Sequence, residues 1–237
     1  MGRNRFVRFY YATFSRPGNQ PFNDEPDAKL MWPFTARPAD LFYYRFHEAR
    51  ISGFGPFFSG ALLVAFGLGI WLLFQPSRAR WVAALAGSTV VASLLVSVHL
   101  WWPRYGPQLW LLPILPVVFL FWKARPGWAL RVAWMLVALL LINAGVVAVV
   151  RMTWETKSTI ALRRQLTELA SSDREIGINF RWFEVPVSER LKTWGISYQK
   201  MKRKELTNAV ELMSVVEGYP GAVKYRVLTN SNESLNR

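Results

Sequence analysis

Residues 128–150 read WALRVAWMLVALLLINAGVVAVV, and Arg131 is the one charge in the run. As a helix rising ~1.5 Å per residue, the run covers ~33 Å, enough for the hydrocarbon core of a bilayer. Its surroundings share this character. No Asp or Glu lies between Arg50 and Arg151, although the chain of 237 residues carries 15 acidic residues. A soluble domain does not leave about a hundred consecutive residues without a surface carboxylate. Three more uncharged runs precede the quoted one, at 56–74, 81–102 and 108–122.

These runs predict four transmembrane helices. The first stops at Gln75-Pro76-Ser77, with Arg78 and Arg80 behind it. The second holds the small residues Gly87, Ser88, Ser93 and Ser97, which let helices approach closely in lipid, and ends at the interfacial pair Trp101 and Trp102. The third is short and carries Pro113 and Pro116, so a kink or partial unwinding bordering a cavity is expected. The fourth encloses Asn143, a residue type that more often joins membrane helices than binds a ligand.

On both sides of the spans the composition changes. Residues 1–55 mix Phe6, Phe9, Tyr10 and Phe14 with Arg3, Arg5 and Arg8, without the continuous apolar stretch of a signal peptide, and read as an aromatic and basic interfacial segment. Residues 56–151 form the transmembrane region. Residues 152–237 read as a stalk helix with Ile160, Leu162, Leu166 and Leu169 near helical spacing, followed by a small soluble α+β domain. In that domain strands are predicted at 176–185, 195–201 and 222–228, with a helix over 205–216. The fold class is therefore membrane all-α, with four transmembrane helices and a small C-terminal α+β domain.

A net charge of +14 would suggest nucleic acid in a soluble chain, but span-flanking Arg and Lys beside carboxylate-free spans account for it, and no nucleic-acid partner is expected. With no cysteine, disulfides and thiol chemistry are excluded. No phosphate loop, nucleophile elbow or metal-ligand cluster stands in the sequence, and neither metal nor cofactor is expected. His47 and His99 are far apart, and His99 suits an interface.

Two connections carry more specific chemistry. Arg50-Ile51-Ser52-Gly53-Phe54-Gly55-Pro56-Phe57-Phe58 places two glycines and a proline where the first span begins. It is either a plain helix start, with Pro56 in the first helical position, or a seat where Arg50 and exposed backbone N–H groups meet a phosphate. Trp101-Trp102-Pro103-Arg104-Tyr105-Gly106-Pro107 sets one arginine among aromatics, as an anchor or as a second cation. With two spans between them, Arg50 and Arg104 fall on one side of the membrane and together suit a lipid-linked phosphate. The candidate lipid-phosphate residues are Arg50, Gly53, Gly55, Arg104 and Tyr105.

These segments, with Leu30-Met31-Trp32-Pro33-Phe34 and the run from Phe9 through Ser15-Arg16-Pro17 to Phe22-Asn23-Asp24, resemble the C-terminal half of bacterial GT-C glycosyltransferases of the protein mannosyltransferase kind. The resemblance covers roughly residues 6–122. It implies hexosyl transfer from a polyprenyl-phosphate-linked sugar at the inner (plasma) membrane, with the Arg50 and Arg104 side extracytoplasmic. It also implies a catalytic Asp in a loop after an N-terminal span. No span precedes Pro56, and Asp24, Asp27 and Asp40 lack that context, so the chain is expected to be a truncated member, not catalytic alone, perfected by a separately encoded N-terminal half. The rival reading is a non-catalytic membrane anchor whose C-terminal domain binds a partner protein. Counting all basic residues places both termini in the cytoplasm. The short connections, with Arg78, Arg80, Lys123 and Arg125 opposite Arg104, agree with the resemblance in placing both termini outside.

Overall fold

The computed structural model describes residues 5–18, 29–45, 54–75, 78–96, 106–122, 127–172, 174–180, 183–206, 208–212 and 223–228. The chain divides into two compact units, Met1–Arg151 and Met152–Arg237.

The first unit is helical. After α1 (Arg5–Phe14), α2 (Pro38–Leu41) and a 3-10 turn (Phe42–Arg45) come α3 (Phe58–Leu73), α4 (Arg78–Val96), a second 3-10 turn (Pro107–Trp110) and α5 (Leu111–Trp122). α6 (Gly127–Ser171) has 45 residues. Its core is a stack of small and large apolar side chains. Ala61, Ala65, Leu68 and Leu72 of α3 meet Val117, Phe119 and Leu120 of α5 and Ala129, Ala133 and Leu136 of α6. The alanines, four residues apart on α3 and again on α6, let the helices approach closely. Trp71 meets Trp128 edge to face at 4.9 Å between ring centroids, and Phe121 meets Trp134 at the same distance.

Four transmembrane helices are not what the described residues form. Among the described residues, only α6 is long and apolar enough to cross a membrane. α3 has 16 residues and α5 has 12, which at ~1.5 Å per residue reach ~24 and ~18 Å, short of a ~30 Å core. The sequence runs overstate the helices because their ends go into turns. Residues 56 and 57 precede α3, Phe74 follows it, and Pro107–Trp110 winds as 3-10 helix. α4 has 19 residues but opens on Arg78 and Arg80. The last residues of the 81–102 run lie outside the described residues. Pro113 and Pro116 do not break α5: Pro113 stands in its first turn, where an N–H has no helical partner to lose, and Pro116 is carried inside.

α6 has the apolar run in its first part and continues past Arg151 without a break. No proline or second glycine after Gly145 interrupts it, so the expected stalk is the same helix. Its last turn closes on serines: Ser171 Oγ donates to Glu168 O at 3.0 Å and Ser172 Oγ to Leu169 O at 2.7 Å.

In the second unit, β1 (Ile176–Asn179), β2 (Tyr198–Lys200), β3 (Val210–Glu211) and β4 (Lys224–Val227) form one sheet in the order β2-β1-β4-β3. β1 and β2 run parallel, joined through α7 (Glu184–Thr193), while β4 is antiparallel to β1 and β3. A parallel pair needs such a crossover, and a helix provides it. Ile176 and Ile178 point from the central strand into a core with Leu166, Leu169, Leu191 and Ile196. On the opposite face, a Cβ at Gly177 would collide with Met201. The described residues of the predicted helix over 205–216 take another form: residues 203–205 make a 3-10 turn and Val210–Glu211 pairs with β4, with Val210 opposite Tyr225 and Glu211 opposite Lys224, while 207 and 213–216 lie outside the described residues. Limited proteolysis of the full chain is expected to leave a resistant fragment holding α7 and the sheet. Cleavage within β1 or α7 as fast as near the C-terminus would contradict this packing.

Candidate functional site

The described part of the first candidate segment begins at Phe54. Gly55 has φ +111°, a conformation favoured by a residue without Cβ, and a Cβ there would run into the Asn143 amide. Asn143 is 0% exposed and its amide is used at both ends: Nδ2 donates to Phe54 O at 2.8 Å, and Oδ1 accepts from Phe57 N–H at 2.8 Å. Phe58 N–H turns back to Gly55 O at 3.3 Å, and Pro56 is buried and has no N–H. Helix starts leave N–H groups without helical partners. Here a side chain from α6 supplies one, so Asn143 clamps a loop, a role different from joining two helices. Pro56 stands before the helix, two residues short of the first helical position, and the N–H of Phe57 is occupied within the protein.

Of the candidate lipid-phosphate residues, Gly55 is described, while Arg50, Gly53, Arg104 and Tyr105 lie outside the described residues. The described ends of the two segments do meet. Phe54 stacks on Phe58 at 4.8 Å, and Phe58 packs on Trp110 at 4.9 Å, in a cluster closed by Val90, Leu94 and Leu109. Two stretches that are far apart in sequence are thus held side by side at the start of α3.

Near the N-terminus lies a polar cluster that sequence reasoning passed over. Asp40 is 4% exposed, accepts from Arg37 N–H at 3.1 Å and lies 4.0 Å from Arg16 Nη1. Pro38 begins α2 and Asp40 reaches back from the third helical position, a reciprocal cap visible in the spacing Arg37-Pro38-Ala39-Asp40. Burial, and then the Asp40 charge, push the Tyr44 phenol well above the ordinary tyrosine value. Because the folded value is raised, the associated stability is complete below the ordinary value of ~10 and is lost as pH climbs above it. Titrating phenolate absorbance should show a late component, shared with Tyr225, whose phenol burial also raises, that Tyr44→Phe diminishes. An unchanged late amplitude in the variant would contradict the burial of Tyr44. The hydroxyls of Thr13, Ser15 and Ser59 are buried without a hydrogen-bond partner among the described residues.

No residue group able to hold a metal ion occurs among the described residues. Outside comparison adds no family to the geometry. No protein family, curated protein or solved structure matches the chain.

Proposed function

We propose that the protein is a membrane-anchored binding protein, held by the apolar part of α6, whose C-terminal α+β unit engages a partner protein. The observation that carries this reading is α6 itself. Its first part is apolar and turns Trp134, Met135, Leu141, Ile142 and Val149 outward, whereas after Arg151 the same helix is charged and buries Leu166 and Leu169 in the core of the second unit. Apolar side chains of this size, outward along ~22 Å of helix, suit lipid. With one candidate span among the described residues, the expected multi-pass topology, with both termini on one side, has no support. The protein should stay in the membrane fraction through alkaline carbonate and high-salt washes, which release surface-bound chains but not a span. Recovery in the soluble fraction would overturn the reading.

The contact of Phe58 with Trp110 favours a second reading, in which the loops before Phe54 and Gly106 bind the phosphate of a polyprenyl lipid as part of a GT-C-like glycosyltransferase at the plasma membrane. In this reading Arg50→Ala or Arg104→Ala weakens binding of polyprenyl phosphate by ~1.5–3 kcal/mol, and Lys restores part of it, since the planar fork is lost. Equal affinity for polyprenyl phosphate and a bulk anionic phospholipid would eliminate it.

A further inference from the structure

The sheet of the second unit has two edges, and they are finished differently. β3 is two residues long, and its outward carbonyl, Glu211 O, accepts from Gln165 Nε2 of α6 at 3.3 Å. β2 has no such cover. Ile176 N–H bonds Ser197 O at 3.1 Å and Met201 N–H bonds Ile178 O at 2.9 Å, which fixes the side that β2 turns to β1. Strand groups alternate, so the N–H and C=O of Tyr198 and Lys200 point away from β1, and neither residue's backbone has a hydrogen bond among the described residues. An edge of this kind is a template for a further strand.

The side chains around this edge are apolar beside the strand and basic beyond its end. Tyr198 packs edge to face on Phe180 at 5.3 Å between ring centroids, and Lys200 Nζ donates to Glu184 Oε1 at the start of α7. The residue after Glu184, Val185, is 72% exposed. Past β2, Lys202 and Lys204 are exposed and neither ammonium has a carboxylate partner among the described residues, while Glu205 spends Oε2 on the Lys202 N–H at 2.9 Å. A second copy of the chain would bring the same lysines against one another, and like charges across a strand pair are destabilising. An acidic segment meets no such cost.

We infer that the β2 edge takes up the partner protein as an added strand, through an extended segment that alternates apolar and acidic residues. Backbone hydrogen bonds to Tyr198 and Lys200 supply affinity, apolar side chains of the segment lie beside Tyr198 and Val185, and its carboxylates meet Lys202 and Lys204. The inference rests on the reading of the second unit as the part that engages a partner protein.

The probe is a short peptide of alternating valine and glutamate, added to the full chain in phosphatidylcholine nanodiscs while amide hydrogen exchange is followed residue by residue. In the free chain the Tyr198 and Lys200 amides should exchange fast, and the peptide should slow both by about tenfold or more. A fully N-methylated peptide, which cannot donate backbone hydrogen bonds, and a valine–lysine peptide should leave them fast. Lys200→Pro removes one outward N–H, a change that an edge strand tolerates, and should weaken peptide binding by about tenfold. Slow exchange of the Ile176 amide in that variant reports an intact sheet. Equal slowing by the methylated or the valine–lysine peptide would overturn the inference, as would fast exchange at Tyr198 and Lys200 with every peptide. Slowing confined to other residues of the second unit would overturn the edge alone and leave a partner surface elsewhere. Slowing at Tyr198 and Lys200 on adding phosphatidylglycerol without peptide would assign the edge to lipid and overturn the protein assignment. Recovery of the chain in the soluble fraction after carbonate would overturn the anchored reading itself, whatever the peptide does.

Discussion

Asn143→Leu is expected to destabilise the protein by about 2–6 kcal/mol, because it leaves the buried Phe54 O and the part-buried Phe57 N–H without their partner, at ~1–3 kcal/mol each. Leucine is close to asparagine in size, so the loss would report hydrogen bonding and little cavity formation. At ~2–4 °C per kcal/mol for a chain of this length, the change corresponds to a fall in melting temperature of roughly 4–24 °C, readable by circular dichroism in detergent micelles. A variant that melts with the parent would show that the clamp is not formed.

The second large effect is expected at Gly55. Gly55→Ala combines a left-handed backbone, costing ~1–3 kcal/mol, with a Cβ driven into the Asn143 amide, where overpacking adds a further ~1–3 kcal/mol. The two parts separate in a double-mutant cycle. Once Asn143→Ala has cleared the space, Gly55→Ala should cost only the backbone part, so the pair is less than additive. Additive losses would mean that the two residues do not touch.

The physical origin of this site explains how much of it was legible in advance. Gly55 and Asn143 both stood out in the sequence, the one as a glycine at a helix start and the other as an amide in an apolar run, but nothing local to either residue says that they meet. Their contact depends on the packing of α3 on α6, a tertiary fact. Helix lengths suffered from the same limit. Hydropathy reports that residues 56–74 are apolar, yet Pro56 and Phe57 stand before the helix, with Phe57 N–H bonded to Asn143, and a helix of 16 residues results. Conversely, the charges after Arg151 suggested a separate stalk, whereas helix continuity depends on the absence of breakers and not on polarity.

The sheet shows the same limit on a smaller scale. Each of the three alternating runs contains a strand, but the run at 176–185 changes to helix at Glu184, where Pro186 falls in the first turn, a position that tolerates it. Val210–Glu211 has helical spacing with its neighbours and becomes a strand because β4 offers it an edge. Of the candidate phosphate residues, the described structure speaks only to Gly55.

The clamp also has a place in the order of biosynthesis. Phe54 and its partner Asn143 are 89 residues apart, and translation at ~5–20 residues per second separates their emergence by roughly 4–18 s. Throughout that interval the carbonyl of Phe54 and the amide of Phe57 have no side chain to bond, and only water can serve them. The leading end of α3 must therefore wait at a hydrated depth until α6 is made, so that the last apolar helix to be synthesised is the one that seals the first.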